Sequence, residues 1–95
     1  MGLHILKTLS EHFNAVREGV KRAELRRDDR GYFVGDVLAL VEYEHAGERA
    51  TGNIVIARVT HIYMGEYLRE GWVMLSLGEV MHGFINFEGE HASAA

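Results

Sequence analysis

The chain separates into short apolar runs whose period changes twice before residue 30. Over residues 3–7, Leu3, Ile5 and Lys7 alternate with His4 and Leu6, the period-two pattern of a short first strand with both faces partly covered. From Ser10 the period lengthens: Phe13, Val16 and Val20 recur at helical spacing, predicting a helix over SEHFNAVREG. Ser10 is placed to cap its N-terminus, Glu11 sits in the first turn where the helix dipole favours a carboxylate, and Gly19 is placed to end it. Alternation returns in KRAELRR, residues 21–27. Lys21, Ala23, Leu25 and Arg27 fall on one face and Arg22, Glu24 and Arg26 on the other, so Ala23 and Leu25 are expected to point into the core.

DDRG then turns the chain, YFVGD brings a second glycine turn, and VLALVEYE, residues 37–44, has the apolar density of a central strand. HAGER has turn chemistry. ATGNIVIARVTHIYM is a long β-rich run, with Ile54, Ile56 and Arg58 opposite Val55, Ala57 and Val59, expected to form a hairpin. GEYLREG reads as a loop or a single helical turn, and WVMLSL as the closing strand. The stretch after it is less regular, with Phe84, Ile85 and Phe87 available for an edge strand or a partner. One early helix and five or six strands predict a mainly β chain with a flanking helix (α+β), built as a small curled sheet or barrel. The expected organisation is one domain over residues 1–78 and a C-terminal extension, partly disordered or edge-packing, over 79–95.

Composition narrows the chemistry. Ninety-five residues, 47% hydrophobic and without proline, suffice for one compact core. The absence of cysteine excludes disulfides, a thiolate nucleophile and zinc–cysteine sites. MGLHILKTLS is too short and too polar for a signal peptide or membrane span, and Leu6 stands where N-myristoylation needs Ser or Thr, so the expectation is a cytoplasmic protein without membrane contact. The net charge of −4 argues against a non-specific DNA coat. Charge is uneven, however: residues 1–30 carry seven basic and five acidic groups, and residues 31–95 three and nine. An anionic partner is therefore expected to be small or to touch one cleft.

The six histidines show no HExxH and no paired ligand spacing, so no metal and no cofactor are expected. There is no phosphate loop and no GxSxG nucleophile elbow. What is left is the charged segment with Lys21, Glu24, Arg26, Asp29 and Arg30, to which the first strand adds His4 and Lys7. A solvated strand edge carrying i,i+2 ion pairs is one reading. The other is an anion site, or a lysine whose neighbours make it a base.

HILKT, FNAVREGVKRAELRRDDRGYFVGDVLALVEYE, TG and GWVMLSL together resemble the ASCH (activating-signal-cointegrator homology) domain, in a small bacterial and phage subgroup, from His4 to about Leu77. The pattern G-x-K-x-x-E-x-R, then D-R and V-G-D, appears as Gly19, Lys21, Glu24 and Arg26, Asp29-Arg30 and Val34-Gly35-Asp36. The resemblance implies a small PUA-like β-barrel whose polar residues line a cleft for RNA or a nucleotide-like ligand. It implies Lys21 on phosphate or a base carbonyl, Arg26 and Arg30 on phosphate or base edges, and Glu24 orienting the lysine or accepting from an exocyclic amine. Some ASCH-like proteins are amidohydrolases of acylated cytidine that use a lysine, a threonine three residues later and a distant glutamate. Here Lys21 matches the lysine, but Glu24 occupies the threonine position. Other ASCH-like proteins are ribonucleases, for which Lys21 and Glu24 offer an acid/base pair.

The expected function is therefore an RNA-binding or nucleotide-binding module with an electropositive cleft formed by His4, Lys7, Lys21, Glu24, Arg26, Asp29 and Arg30. The alternative is a small hydrolase, a modified-nucleoside amidohydrolase or ribonuclease, with Lys21 and Glu24 catalytic. A third reading is an interaction protein that forms a homodimer, or binds a host protein, through the C-terminal extension.

Overall fold

A computed structural model describes residues 2–85. Its elements are β1 (Leu3–Leu9), α1 (Ser10–Arg17), β2 (Ala23–Arg27), β3 (Val37–Glu44), β4 (Arg49–Tyr63) and β5 (Trp72–Phe84). They form one helix and a five-stranded sheet in the order β1-β3-β4-β5-β2. The β1–β3 pair is parallel, which requires a crossover, and α1 with β2 supplies it. All other neighbours are antiparallel. The sheet curls into a half-barrel, so that its edge strands β1 and β2 approach across a seam where the Arg26 guanidinium of β2 donates to the Lys7 carbonyl of β1 at 3.1 Å.

Period-two alternation explains the interior. Leu6, Leu38, Leu40, Val55, Ala57, Val59, Val73, Leu75 and Leu77 point inward from four strands, and α1 lays Phe13 and Val16 over them. Both helix side chains are fully buried, each contributing roughly 1.5–3 kcal/mol of transfer free energy. The opposite face carries a cross-strand row of Ile5, Ala39, Ile56 and Met81 on β1, β3, β4 and β5.

Gly19 ends α1 as expected: at φ +79° its amide reaches the Val16 carbonyl and the Val20 amide reaches the Ala15 carbonyl, satisfying two orphan acceptors. Ser10 does not cap. It is the first helical residue, Leu9 holds the cap position without a side-chain bond, and the Ser10 hydroxyl donates to the Tyr43 carbonyl, tying α1 to β3. The run over residues 49–63 is one unbroken strand rather than a hairpin in itself, pairing with β3 on one side and β5 on the other. Two register shifts against β5 bend it, as bulges do. β5 continues beyond Leu77 to Phe84, which pairs with Asn53; the expectation for Phe87, and for the extension beyond Ile85, lies outside the described residues.

The orientation of β2 is the reverse of the one predicted. Leu25 is 54% exposed and Glu24 only 3%. Alternation was right, but the choice of inward face was not, because an interior that supplies Arg26 and Lys21 to a carboxylate accepts Glu24 there. Arg22 lies ahead of the strand, exposed, its Nε donating to the Gly19 carbonyl.

The open end of the β1–β3 pair is held by Asp36. Its carboxylate accepts from the Gly2 amide at 2.7 Å and the Phe33 amide at 2.9 Å, and lies 2.8 Å from His4 Nε2. The Gly2 bond first, then His4 and Phe33, hold its pKa at about 2 against burial, below the ordinary 3.8. A carboxylate with a depressed folded-state pKa contributes stability that is complete above its unfolded value and is lost as pH falls through the folded one. The melting temperature should therefore fall between about pH 4 and pH 2. Asp36→Asn should lower the melting temperature at neutral pH and flatten that acid limb in thermal melts; an unchanged acid limb in the variant would rule out this assignment.

Candidate anion site at the seam between β1 and β2

Two concavities flank Arg26 along the seam. The first, about 330 Å³, is lined by Lys7, Thr8, His12, Lys21, Glu24 and Arg26, among others. The second, about 290 Å³, takes in Arg26, Arg27, Asp29, Arg30, Tyr32 and Trp72. Leu25 and Arg26 belong to both, so the two form one groove with the guanidinium as its partition.

The partition is rigid because each of its bonds has a separate origin. On a strand, residues two apart share a face, which places Arg26 Nε 3.1 Å from Glu24 Oε2. Arg26 Nη2 crosses the seam to the Lys7 carbonyl and to the Thr8 hydroxyl at 3.2 Å. Thr8 is available because β1 alternates His4, Leu6 and Thr8 toward the interior, where Thr8 is 3% exposed. The helix stop at Gly19 then drops Lys21 beside the strand start, its Nζ 3.5 Å from Glu24 Oε1. Glu24 is thus flanked by two cations, one per oxygen. Only Oε2 has a hydrogen bond, however; Oε1 is buried and accepts none.

The second concavity is more open. Arg30 and Asp29 form an exposed neighbouring pair at 3.8 Å, and Arg27 lies 5.8 Å from the centre of the Trp72 ring. Burial lifts the Tyr32 phenol above its ordinary range, against the pull of Arg30 and Arg26, so it remains a neutral donor at physiological pH.

Of the residues singled out from sequence, Lys7, Lys21, Glu24 and Arg26 line the first concavity, and Arg26, Asp29 and Arg30 the second. The Lys7 ammonium rests 4.7 Å over the Tyr43 ring, drawn toward the β3–β4 turn. His4 lines neither: it contacts Asp36 and packs its ring 4.7 Å from that of Tyr32. Thr8, His12, Tyr32 and Trp72 were missed. Thr8 had a signal, the inward parity of β1, and Tyr32 follows Arg30 by two residues in the same segment; His12 and Trp72 are brought to the groove by chain crossings that periodicity does not encode.

A second buried carboxylate, Glu42, sits opposite Thr8 in the β1–β3 register. Burial would raise its pKa, but donation from Thr51 at 2.6 Å and Asn53 at 2.9 Å, with Ser10 and Arg17 nearby, outweighs that and lowers it. Among the described residues no three His, Asp or Glu side chains converge to hold a metal ion, and no helix is long and apolar enough to cross a membrane.

The chain is similar to the "Uncharacterized 12.9 kDa protein in GpA 3′region" of Escherichia phage P2, with 39% identity over 82 residues, covering 83% of this chain and 72% of the phage protein. Residues 3–77, from the first residue of β1 into β5, match the family described as "Domain of unknown function (DUF3850)". That match takes in both edges of the groove, and the chain belongs to the DUF3850 family.

Proposed function

We propose that this domain binds single-stranded RNA or a nucleotide-like anion in the groove between β1 and β2. The observation that carries this reading is the gathering of Lys21, Arg26, Arg27 and Arg30 around one concave seam of a chain whose net charge is −4. Charge spread for solubility alone has no reason to concentrate there. Trp72, half-buried at the far wall, adds a ring surface of the kind on which unpaired bases stack, and the groove is too small to admit a duplex. The half-barrel with its helix after the first strand supports an ASCH-type, PUA-like reading of the fold, in which this segment forms the ligand cleft.

Lys21 and Arg30 test the reading without disturbing the bonds of Arg26. In binding titrations of single-stranded RNA at several salt concentrations, Lys21→Ala and Arg30→Ala should each weaken affinity. Each should also reduce the slope of log K against log salt by about 0.7, the loss of one phosphate contact. Unchanged affinity and slope in both variants would remove it.

A hydrolase is the second reading, favoured by one observation: Lys21 Nζ stands 3.5 Å from Glu24 Oε1 at the wall of the first concavity. A protonated lysine beside a carboxylate can donate to a leaving group while the carboxylate accepts a proton. The expected result is turnover of acylated cytidine or short RNA, abolished in Lys21→Ala while its melting curve stays in place. No turnover across that panel would eliminate it.

A further inference from the structure

β5 outruns its neighbour on one side. β2 pairs with residues 72–76 of it, and a last bond runs from the Leu77 amide to the Arg22 carbonyl. Residues 78–84 keep β4 along one edge, and among the described residues no strand lies along the other. A register shift, with Glu79 at φ +50°, marks the bulge at which β5 leaves β2 behind. Past it the Ile85 amide donates to the Gly52 carbonyl. By antiparallel alternation Met81 and Gly83 then turn their backbone groups toward β4, while His82 and Phe84 turn theirs outward. The edge has none of the usual guards: residues 78–85 include no Lys, Arg or Pro, and Val80, Met81, Phe84 and Ile85 leave apolar surface in water.

The segment is complementary to itself. Antiparallel pairing of two copies about a two-fold axis at His82 sets Val80 opposite Phe84 and Met81 opposite Gly83, each pair occurring twice. Gly83 offers no side chain, so the long Met81 side chain of the other copy has room over it. Glu79 falls opposite Ile85, and no like charges face one another. The outer row of Ile5, Ala39, Ile56 and Met81 ends at this edge and would run on into the second copy.

We propose that residues 79–85 of β5 pair with the same residues of a second copy of this chain, joining the two sheets edge to edge about His82. This narrows dimerisation through residues 79–95 to one edge and one register. None of these residues lines the groove between β1 and β2, so the inference stands or falls apart from the nucleotide reading.

Light scattering from the full chain over a concentration series reads the association directly. The mass should rise to about twice that of one chain by about 100 μM, the weak end suited to so short an interface. His82→Pro removes an amide hydrogen that faces the open edge and leaves the β4 ladder intact, a position where proline is tolerated. It should keep the chain monomeric over the same range with its circular dichroism unchanged.

A second variant decides the matter if that one does not fold. The chain has no cysteine, so His82→Cys carries a single thiol, beside its own copy on the two-fold axis. A short bis-maleimide should link it into dimers at least about tenfold faster than it links Leu3→Cys, on the exposed face of β1. A monomer at every concentration, a folded His82→Pro chain that still dimerises, or equal linking of the two thiols would each overturn the inference. A dimer that appears only when residues 86–95 are removed would overturn it too, by putting the chain's own tail on this edge.

Discussion

The carboxylate of Glu24, enclosed by the sheet on an edge strand, has to be matched by positive charge, and the match organises the seam. An unpaired buried carboxylate costs several kcal/mol, so Arg26 and Lys21 are drawn to it from the same strand and from the turn before it. Arg26 then has donors to spare, and their partners on β1, the Lys7 carbonyl and Thr8 hydroxyl, bring the two sheet edges together. The closure of the seam and the shape of the groove therefore depend on the Glu24–Arg26 ion pair. Leu25 is turned outward for the same reason: two adjacent strand residues cannot share a face.

The interior is divided by polarity. Leu, Val and Phe side chains under α1 form the apolar part. Asp36 closes one end with two backbone amides and His4, and Thr8, Glu24 and Glu42 make a polar zone toward the groove, each carboxylate with its own partners. Of these three acids Glu24 alone has a fully buried oxygen without a hydrogen bond, 3.5 Å from the Lys21 ammonium, and the residue lines a concavity of the seam. The coincidence distinguishes the seam from the Asp36 and Glu42 clusters, which are closed on themselves.

Much of the fold was legible because its elements differ in period. The strand–helix–strand opening, the Gly19 stop and the central place of β3 follow from alternation, spacing and one glycine. Ser10 misled because a serine before a helix usually caps it, whereas a nearby β3 carbonyl offered its hydroxyl a different partner. β2 misled because alternation identifies two faces without saying which is inside, and the usual rule that leucine goes in was overridden by a paired carboxylate. The candidate site was legible where it lies within one segment, Lys21 to Arg30. Thr8, His12 and Trp72 reach it from elsewhere in the chain, and that depends on the sheet order, which no local pattern carries.

The most direct measurement is a map of amide chemical-shift changes by NMR as a short single-stranded oligoribonucleotide is titrated into the protein. The predicted changes concentrate at Lys7–Leu9, His12 and Lys21–Tyr32, on both sides of the Arg26 partition, with Trp72 completing the far wall. Changes concentrated instead on the outer row of Ile5, Ala39, Ile56 and Met81, with the seam silent, would contradict the account.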